Sequence, residues 1–100
     1  MICYILHSQV LGKYYTGVTL ENVSSRLEKH NESTYGTHYT SQTKDWELYL
    51  EIICNCKTQM FQIEKHIKRM KSKVYIENLK KYPEMIEKLK NKYTCNWLCR

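Results

Sequence analysis

Residues 2–18 read ICYILHSQVLGKYYTGV, and this stretch decides how the fold begins. It contains two runs rich in β-forming residues, Ile2 to His7 and Lys13 to Val18, separated by the short segment SQVLG. A connection of this length between two such runs is typical of a hairpin. We therefore expect an antiparallel pair of strands at the start of the chain.

The segment after the hairpin predicts a short helix and then a third strand. Asn22 suits an N-cap, and Val23 and Leu27 lie four apart among charged residues, as in an amphipathic helix that runs to Asn31. Further along, apolar and polar residues alternate up to Ile53. This alternation predicts a strand with one buried face, formed by Trp46, Leu48, Leu50 and Ile52.

Three helices are predicted in the second half of the chain. After Cys56 the apolar residues recur at three and four positions, which predicts a helix of about four turns with a buried stripe of Met60, Ile63, Ile67 and Met70. Two further helical segments cover residues 74–81 and 83–92, and Pro83 suits the first turn of the second. The expected fold class is α/β (α+β): a three-stranded antiparallel sheet flanked by helices, in β-β-α-β-α-α order with a further C-terminal helix.

The size of the chain predicts one small domain. It has 100 residues and a mass of 12.1 kDa. We assign the domain to residues 1–90, with the last helix ending near residue 92, and residues 93–100 to a C-terminal tail. No apolar stretch approaches the roughly 20 residues of a membrane span, and the first residues lack the features of a signal peptide. We therefore expect a cytoplasmic protein with no membrane partner.

Positive charge is concentrated in the second half of the chain. There are 16 Lys and Arg against 10 Asp and Glu, and the excess lies in residues 51–100. Such a density suits a polyanionic partner such as nucleic acid, although lysine-rich helices also serve simply to keep small domains soluble. The residues of this half that we expect to contact DNA are Lys65, Lys68, Arg69, Lys71 and Lys73.

The cysteines predict a reduced protein without zinc. The chain has five of them, and an odd number without a secretory signal favours free thiols. A zinc site would need Cys54, Cys56, Cys95 and Cys99 together, but one residue between the first two is shorter than the usual ligand spacing. We expect the cysteines to act as small apolar residues instead.

Several polar residues occupy positions that suit a phosphate ligand. Arg26 and His30 lie four apart, so they would share one side of the first helix. The long loop before the third strand has no aliphatic side chain and includes His38, which suits contact with phosphates and bases. Glu64 lies at the border of the apolar stripe of its helix, where it would face a cleft or pair with Lys68.

A series of short motifs follows along the chain in a characteristic order: Tyr4-Ile5-Leu6, Tyr15-Thr16-Gly17, Arg26-Leu27 with His30-Asn31, the strand that begins at Trp46, Glu64 with Ile67-Lys68, and Asn78. Together they resemble the GIY-YIG nuclease superfamily in its compact single-domain form, over about residues 1 to 90. The chain reads Ile2-Cys3-Tyr4 where the family has Gly-Ile-Tyr. It has Thr16 where the family has Ile, and His38 where small members often have Lys.

The resemblance implies a metal-dependent DNA endonuclease that hydrolyses phosphodiester bonds, with a role in DNA repair or recombination. Glu64 would bind one Mg²⁺ or Mn²⁺, and Arg26 would hold a phosphate oxygen. Tyr4 and Tyr15 would position the attacking water. An ordinary phenol is a poor base, so His30 is an alternative proton acceptor, and the identity of the base stays open.

Gly17 and Asn78 take supporting positions in the same resemblance. Gly17 would allow DNA or the following helix to approach closely, and Asn78 would brace the metal site. Two other classes of function remain open: a non-catalytic nucleic-acid-binding module on the same scaffold, and a protein-interaction domain whose basic face meets acidic protein. Specificity is expected either to be low or to come from a partner protein or a homodimer, since a chain of this size leaves no room for a DNA-selecting domain.

Overall fold

The structure is a computed structural model that describes residues 1–20, 22–31 and 43–95, without the side chain of His30. Its elements are β1 (Ile2–Ser8), β2 (Lys13–Thr19), α1 (Val23–Asn31), β3 (Glu47–Ile53), α2 (Lys57–Met70), α3 (Lys73–Lys81) and α4 (Pro83–Lys92). In the described ranges the strands form one antiparallel sheet in the order β2-β1-β3. The predicted fold class, the element order and the N-terminal hairpin are confirmed.

A carboxylate of the segment before β3 fastens the β1–β2 turn. Asp45 Oδ1 accepts hydrogen bonds from Ser8 Oγ at 2.6 Å and from Thr43 Oγ1 at 2.7 Å. Its Oδ2 accepts the backbone N–H of Val10 at 3.0 Å. The turn closes at Gly12, whose φ of +62° lies in the left-handed region that glycine adopts without penalty. Asp45 therefore sets where β3 begins relative to the hairpin.

The hydrogen bonds of Asp45 make the stability of the protein sensitive to acid. Hydrogen bonds from Ser8, Thr43 and the Val10 backbone lower the pKa of Asp45 from 3.8 to about 2. A carboxyl with a lowered pKa in the folded state contributes stability above its ordinary pKa and loses it as the pH falls through the folded value. We expect the thermal unfolding temperature to drop between pH 4 and pH 2, and Asp45→Asn to flatten that drop. Wild-type and variant curves of equal slope would contradict the assignment.

The structure corrects which residues form the buried face of β3: Leu50 and Ile52 lie on one face as predicted, but Trp46 and Leu48 lie on the other. Ile5 pairs with Leu50, but the next residue of β1, Leu6, pairs with Leu48, so Tyr49 is an extra residue in a β-bulge. The bulge shifts the alternation by one position. Trp46 packs on one face beside Tyr4, Leu6 and Val23, whereas Ile52 packs on the other face with Cys3 and Ile5. Leu48, predicted to be buried, is 42% exposed.

Helices α2, α3 and α4 cover one face of the sheet, and α1 covers the other. The core under α2, α3 and α4 contains Cys3, Ile5 and Ile52 of the sheet. The helices contribute Met60, Ile63, Ile67, Ile76, Leu79 and Leu89. The predicted stripe of α2 is thus confirmed for three of its four members. Met70 is 45% exposed because the helix ends there, at Lys71 in the left-handed conformation. α4 begins at Pro83, as predicted.

Two asparagines define the ends of α1. Asn22 Oδ1 accepts the backbone N–H of Ser25 at 2.9 Å, which is the predicted N-cap. At the other end, Asn31 pairs with the backbone of Trp46: its Nδ2 donates to the carbonyl at 3.0 Å, and its Oδ1 accepts the N–H at 2.8 Å. This double hydrogen bond ties α1 to the start of β3 and keeps the helix against the sheet.

The prediction of fully reduced cysteines is wrong. Cys56 and Cys95 form a disulfide across 39 positions, while Cys3 and Cys54 are free and buried. The Sγ of Cys56 also accepts the backbone N–H of Gln59 at the start of α2. Counting cysteines does not reveal which sulfurs the packing of α2 against α4 brings together. The buried pair does behave as small apolar residues of the core.

A bilayer crossing would need a longer and more apolar helix than any in the described ranges.

Candidate active site

The two tyrosines of the predicted site lie on the same face of the hairpin. In the register of β1 and β2, Tyr4 is opposite Gly17 and Tyr15 is opposite Leu6. Residues directly opposite in an antiparallel pair share a face, so Tyr4 and Tyr15 are diagonal neighbours rather than a directly opposed pair. The Tyr15 ring meets Trp46 edge-on, with ring centroids 6.4 Å apart. This packing holds Tyr15 against the core on the α1 side of the sheet, which contains Leu6, Val23 and Trp46.

Gly17 is the residue that lets the Tyr4 ring lie across β2. A Cβ at position 17 would stand 2.7 Å from both Cζ and Oη of Tyr4, and 3.1 Å from Cε2 of Tyr15. The space of the missing side chain is therefore occupied by the ends of the two tyrosines. We predicted that Gly17 leaves room for DNA or the following helix; in the structure that room belongs to Tyr4 and Tyr15. Glycine is needed here for space, not for its backbone freedom.

Arg26 comes to the site from α1. Its Nε donates a hydrogen bond to Oγ1 of Thr19 at 3.2 Å. Thr19 is the last residue of β2 and lies two residues beyond Gly17 on the same face. This hydrogen bond fixes the Nε end of the guanidinium group, so the group has a defined position near Tyr4. A planar, permanently charged fork of this kind suits bidentate contact with phosphate oxygens.

Glu64 lies on α2 and forms an ion pair with a lysine of the same helix. Its Oε2 lies 3.3 Å from Nζ of Lys68, the predicted partner four residues later, and its side chain is 18% exposed. Nζ of Lys68 is also 5.9 Å from the centre of the Tyr15 ring. The predicted pairing of Glu64 with Lys68 is thus confirmed, and the pair lies beside Tyr15.

The pKa of Tyr4 agrees with the contacts that group these side chains. Burial raises the pKa of the Tyr4 phenol above its usual value, and the neighbouring Tyr15 and Glu64 raise it further, while the positive charge of Arg26 lowers it. Only groups at short range have such effects on one another. The side chains brought together from β1, β2, α1 and α2 are Tyr4, Tyr15, Arg26 and Glu64.

The chemistry of this cluster agrees with a comparison of the whole sequence. A sequence model of the GIY-YIG catalytic domain matches residues 1–82. The chain belongs to the GIY-YIG family. No curated protein matches the chain, and no solved structure does. GIY-YIG domains are nuclease domains of the endonuclease type, so DNA is the substrate class that membership implies.

Other residues expected in the GIY-YIG site have different outcomes. His30 lies in α1, one turn after Arg26, and its side chain is outside the described part of the structure, as is the whole of His38. Asn78 lies in α3, where its backbone carbonyl accepts the backbone N–H of Tyr82 at 2.8 Å. Its role as a brace of the metal site stays a prediction. The cations expected to contact DNA are all exposed. Lys65, Lys68 and Arg69 lie on α2, Lys71 follows its last residue, and Lys73 begins α3.

The donor set fits a cation that needs few protein ligands. In the ranges that the structure describes, no group of three or more His, Cys, Asp or Glu could enclose a metal ion. Mg²⁺ usually keeps several waters and binds through one or two carboxylates together with substrate phosphate. Glu64 offers one carboxylate, on a side chain that is 18% exposed, which suits this kind of site. Lys68 now neutralises the carboxylate that would hold the cation.

Sequence reasoning named Lys71 as a DNA contact but missed its backbone conformation. Lys71 ends α2 with φ 49° and ψ 40°, the left-handed conformation that glycine usually takes at this position. A side chain there costs about 1–2 kcal/mol relative to the right-handed form. The one available signal is the short Lys71-Ser72 connection between two helical patterns, which does not reveal a backbone angle.

Proposed function

We propose that this GIY-YIG domain is a divalent-metal-dependent DNA endonuclease. The observation that carries the proposal is a convergence of side chains from four elements. Tyr4 and Tyr15 are diagonal neighbours on the hairpin, Arg26 is bonded to Thr19 of the same strand face, and the ion pair of Glu64 with Lys68 lies beside Tyr15. Hydrolysis of a phosphodiester needs an oriented water, positive charge on the phosphate and stabilisation of the leaving oxygen. The cluster contains a group for each need. Repair or recombination of DNA is the setting that the family resemblance implies.

The residues divide these tasks by their chemistry. Arg26 would bind a non-bridging phosphate oxygen, and the phenols of Tyr4 and Tyr15 would hold the water in line with the bond to be broken. Burial keeps the Tyr4 phenol protonated, so in the absence of added positive charge it acts as a hydrogen-bond donor. Glu64 would hold the cation, whose contribution is to offset the negative charge that develops on the phosphate.

A plasmid assay tests the proposal. The purified chain is incubated with supercoiled plasmid in Mg²⁺, in Mn²⁺ and in EDTA, and conversion to the nicked circle is measured. We expect nicking with either cation and none in EDTA. A single active site cuts one strand at a time, so linear product should appear only after nicked product. Equal conversion in EDTA would rule out a metal-dependent nuclease, and so would the absence of cleavage of both the plasmid and a branched DNA in either cation.

The alternative is a nucleic-acid-binding module without turnover. It predicts DNA binding whose affinity falls steeply with salt, together with intact plasmid in every cation. Binding at two salt concentrations beside the plasmid assay separates the two functions. Absence of DNA binding at both salt concentrations would instead favour a protein-interaction domain.

Lys71→Gly should stabilise the protein while weakening its contact with DNA. Glycine removes the left-handed strain at the end of α2, so the free energy of unfolding should rise by about 1 kcal/mol. The loss of one cation near the phosphates should lower DNA affinity and reduce the slope of log K against log salt by about 0.9. Denaturant unfolding and salt-dependent binding measure the two effects. Lys88→Gly, at an exposed position in α4, is the matched control and should instead lose stability by about 1 kcal/mol.

A further inference from the structure

A cleft lies between the edge strand β2 and the helices α2 and α3. Its volume is about 580 Å³, which is within the range of small-molecule sites. The floor is apolar and consists of Ile67 and Ile76, and Tyr14 and Tyr15 of β2 line one side, the aromatic wall. The residues with charged side chains that line it are Lys13, Lys68, Lys71 and Lys73.

The cleft opens directly beside the candidate active site. Tyr15 and Lys68 line the cleft, and Lys68 is also the residue whose Nζ lies 3.3 Å from Glu64. A DNA strand with its scissile phosphate at Arg26 and Glu64 would therefore carry a neighbouring nucleotide to the mouth of the cleft. Lys71 faces the cleft from its left-handed position at the end of α2.

The aromatic wall of the cleft is held in place from several sides. The hydroxyl of Tyr14 donates a hydrogen bond to Oε2 of Glu77 at 3.1 Å. Its ring packs against His7 and Tyr49, with centroid distances of 4.7 Å and 5.0 Å. Lys73 Nζ donates to the carbonyl of Gly12 at 2.7 Å, which joins α3 to the hairpin turn across the cleft. The wall is thus ordered before any ligand binds, which lowers the entropic cost of binding.

The combination of an aromatic wall, an aliphatic floor and a lysine rim matches one nucleotide. A base has a flat apolar face that stacks on aromatic rings whatever its sequence, and its phosphates suit the lysines. A base inside a duplex is already stacked and paired, so it cannot enter a side cleft unless it is extruded at an energetic cost. An unpaired base at a flap, gap or branch carries little of that cost.

We propose, on the basis of the proposed nuclease function, that this cleft binds one unpaired nucleotide of the DNA substrate next to the phosphate that is cut. The chain then selects DNA by structure rather than by sequence. Junctions with a single-stranded nucleotide are preferred over continuous duplex.

Binding in EDTA tests this preference without cleavage. Two DNA molecules of the same length are compared: one fully paired, and one with a single unpaired 2-aminopurine at a junction. We expect about tenfold tighter binding of the junction DNA, as stacking of one base provides, together with quenching of the 2-aminopurine fluorescence. A third DNA with an abasic residue at that position should bind like the duplex. Equal affinity for the junction and abasic DNA would overturn the proposal.

Variants of the wall give a second test from the protein side. Tyr14→Leu removes the aromatic face, and it should abolish both the preference and the quenching. Tyr14→Phe keeps the ring but loses the hydrogen bond to Glu77, and it should retain both effects. Thermal unfolding shows whether each variant is folded; the abasic comparison uses the unaltered protein and does not depend on that result. Preference retained in folded Tyr14→Leu would contradict the assignment of the cleft.

The two proposals fail in different ways. If the chain nicks plasmid but binds junction and duplex DNA equally, the nuclease function stands and the nucleotide cleft does not. If it prefers the unpaired nucleotide but never nicks in Mg²⁺ or Mn²⁺, the cleft stands on a binding module and the nuclease function is wrong.

Discussion

Glu64→Gln should reduce the rate of Mg²⁺-dependent nicking by about 10³-fold or more, because it replaces the one carboxylate of the cluster with a neutral amide. The fold should survive the change, since the side chain lies at the border of α2 and outside both cores. DNA affinity should change by less than about threefold, because phosphate contacts with lysines dominate it. Plasmid nicking and equilibrium binding, measured on the same preparation, separate the two effects.

The control for this variant is Glu87→Gln, which makes the same chemical change at an exposed position in α4. It should leave nicking and unfolding unchanged. Glu64→Ala should lose activity as fully as Glu64→Gln, because both remove the negative charge. If Glu64→Gln keeps more than about a tenth of the wild-type rate, the carboxylate does not hold an essential cation.

Gly17→Ala should lower the nicking rate by about 10²-fold, because a shift of about 1 Å in a positioned group has an effect of that size. The new Cβ would stand 2.7 Å from the hydroxyl end of Tyr4, so the phenol must move away from its place beside Arg26 and Glu64. We expect stability to fall by only about 1–2 kcal/mol, because the displaced group is the end of one side chain. Single-turnover nicking and denaturant unfolding measure these effects.

Gly12→Ala is the matched control for this glycine. A Cβ at Gly12 meets no atom within 4 Å, but the φ of +62° makes any side chain unfavourable there. Its stability should therefore fall by about 1–2 kcal/mol, while nicking stays near the wild-type rate. In a Tyr4→Phe background, Gly17→Ala should have a much smaller effect, since the two positions act through the same phenol. Equal loss of activity in the two glycine variants would show that Gly17 acts only through stability.

The sequence predicted the elements well because their signals are local. The SQVLG segment between two β-rich runs, the Asn22 cap and Pro83 at the start of α4 each depend on a few neighbouring residues. The apolar spacing of α2 likewise identified Met60, Ile63 and Ile67 as core residues. These patterns determine where elements begin and which side of each helix is apolar.

Features that depend on distant parts of the chain were not predictable in the same way. The bulge at Tyr49 exists because β3 must pair with β1 while Asp45 and Trp46 are held by Ser8 and Asn31. The Cys56–Cys95 disulfide depends on how α4 brings Cys95 to the start of α2. Neither arrangement leaves a periodic pattern in the sequence.

The candidate site was predictable as a set of residues but not as a geometry. The family motifs indicated Tyr4, Tyr15, Arg26 and Glu64, and the structure brings these four together. The motifs did not indicate why Gly17 is needed or that Lys71 lies in the left-handed conformation at the edge of the site. Such properties follow from the contacts and backbone angles of the folded chain rather than from residue identities.

The bulge at Tyr49 also determines which changes in length β3 can accept. Deleting this one residue would place Leu48 and Leu50 next to each other in a regular strand, still opposite Leu6 and Ile5. Trp46 and Ile52 would then be five positions apart and would stay on their opposite faces. Deleting two residues would leave them four positions apart on one face, so one of them would have to turn away from its own core. β3 can therefore be one residue shorter with its faces unchanged, but not two.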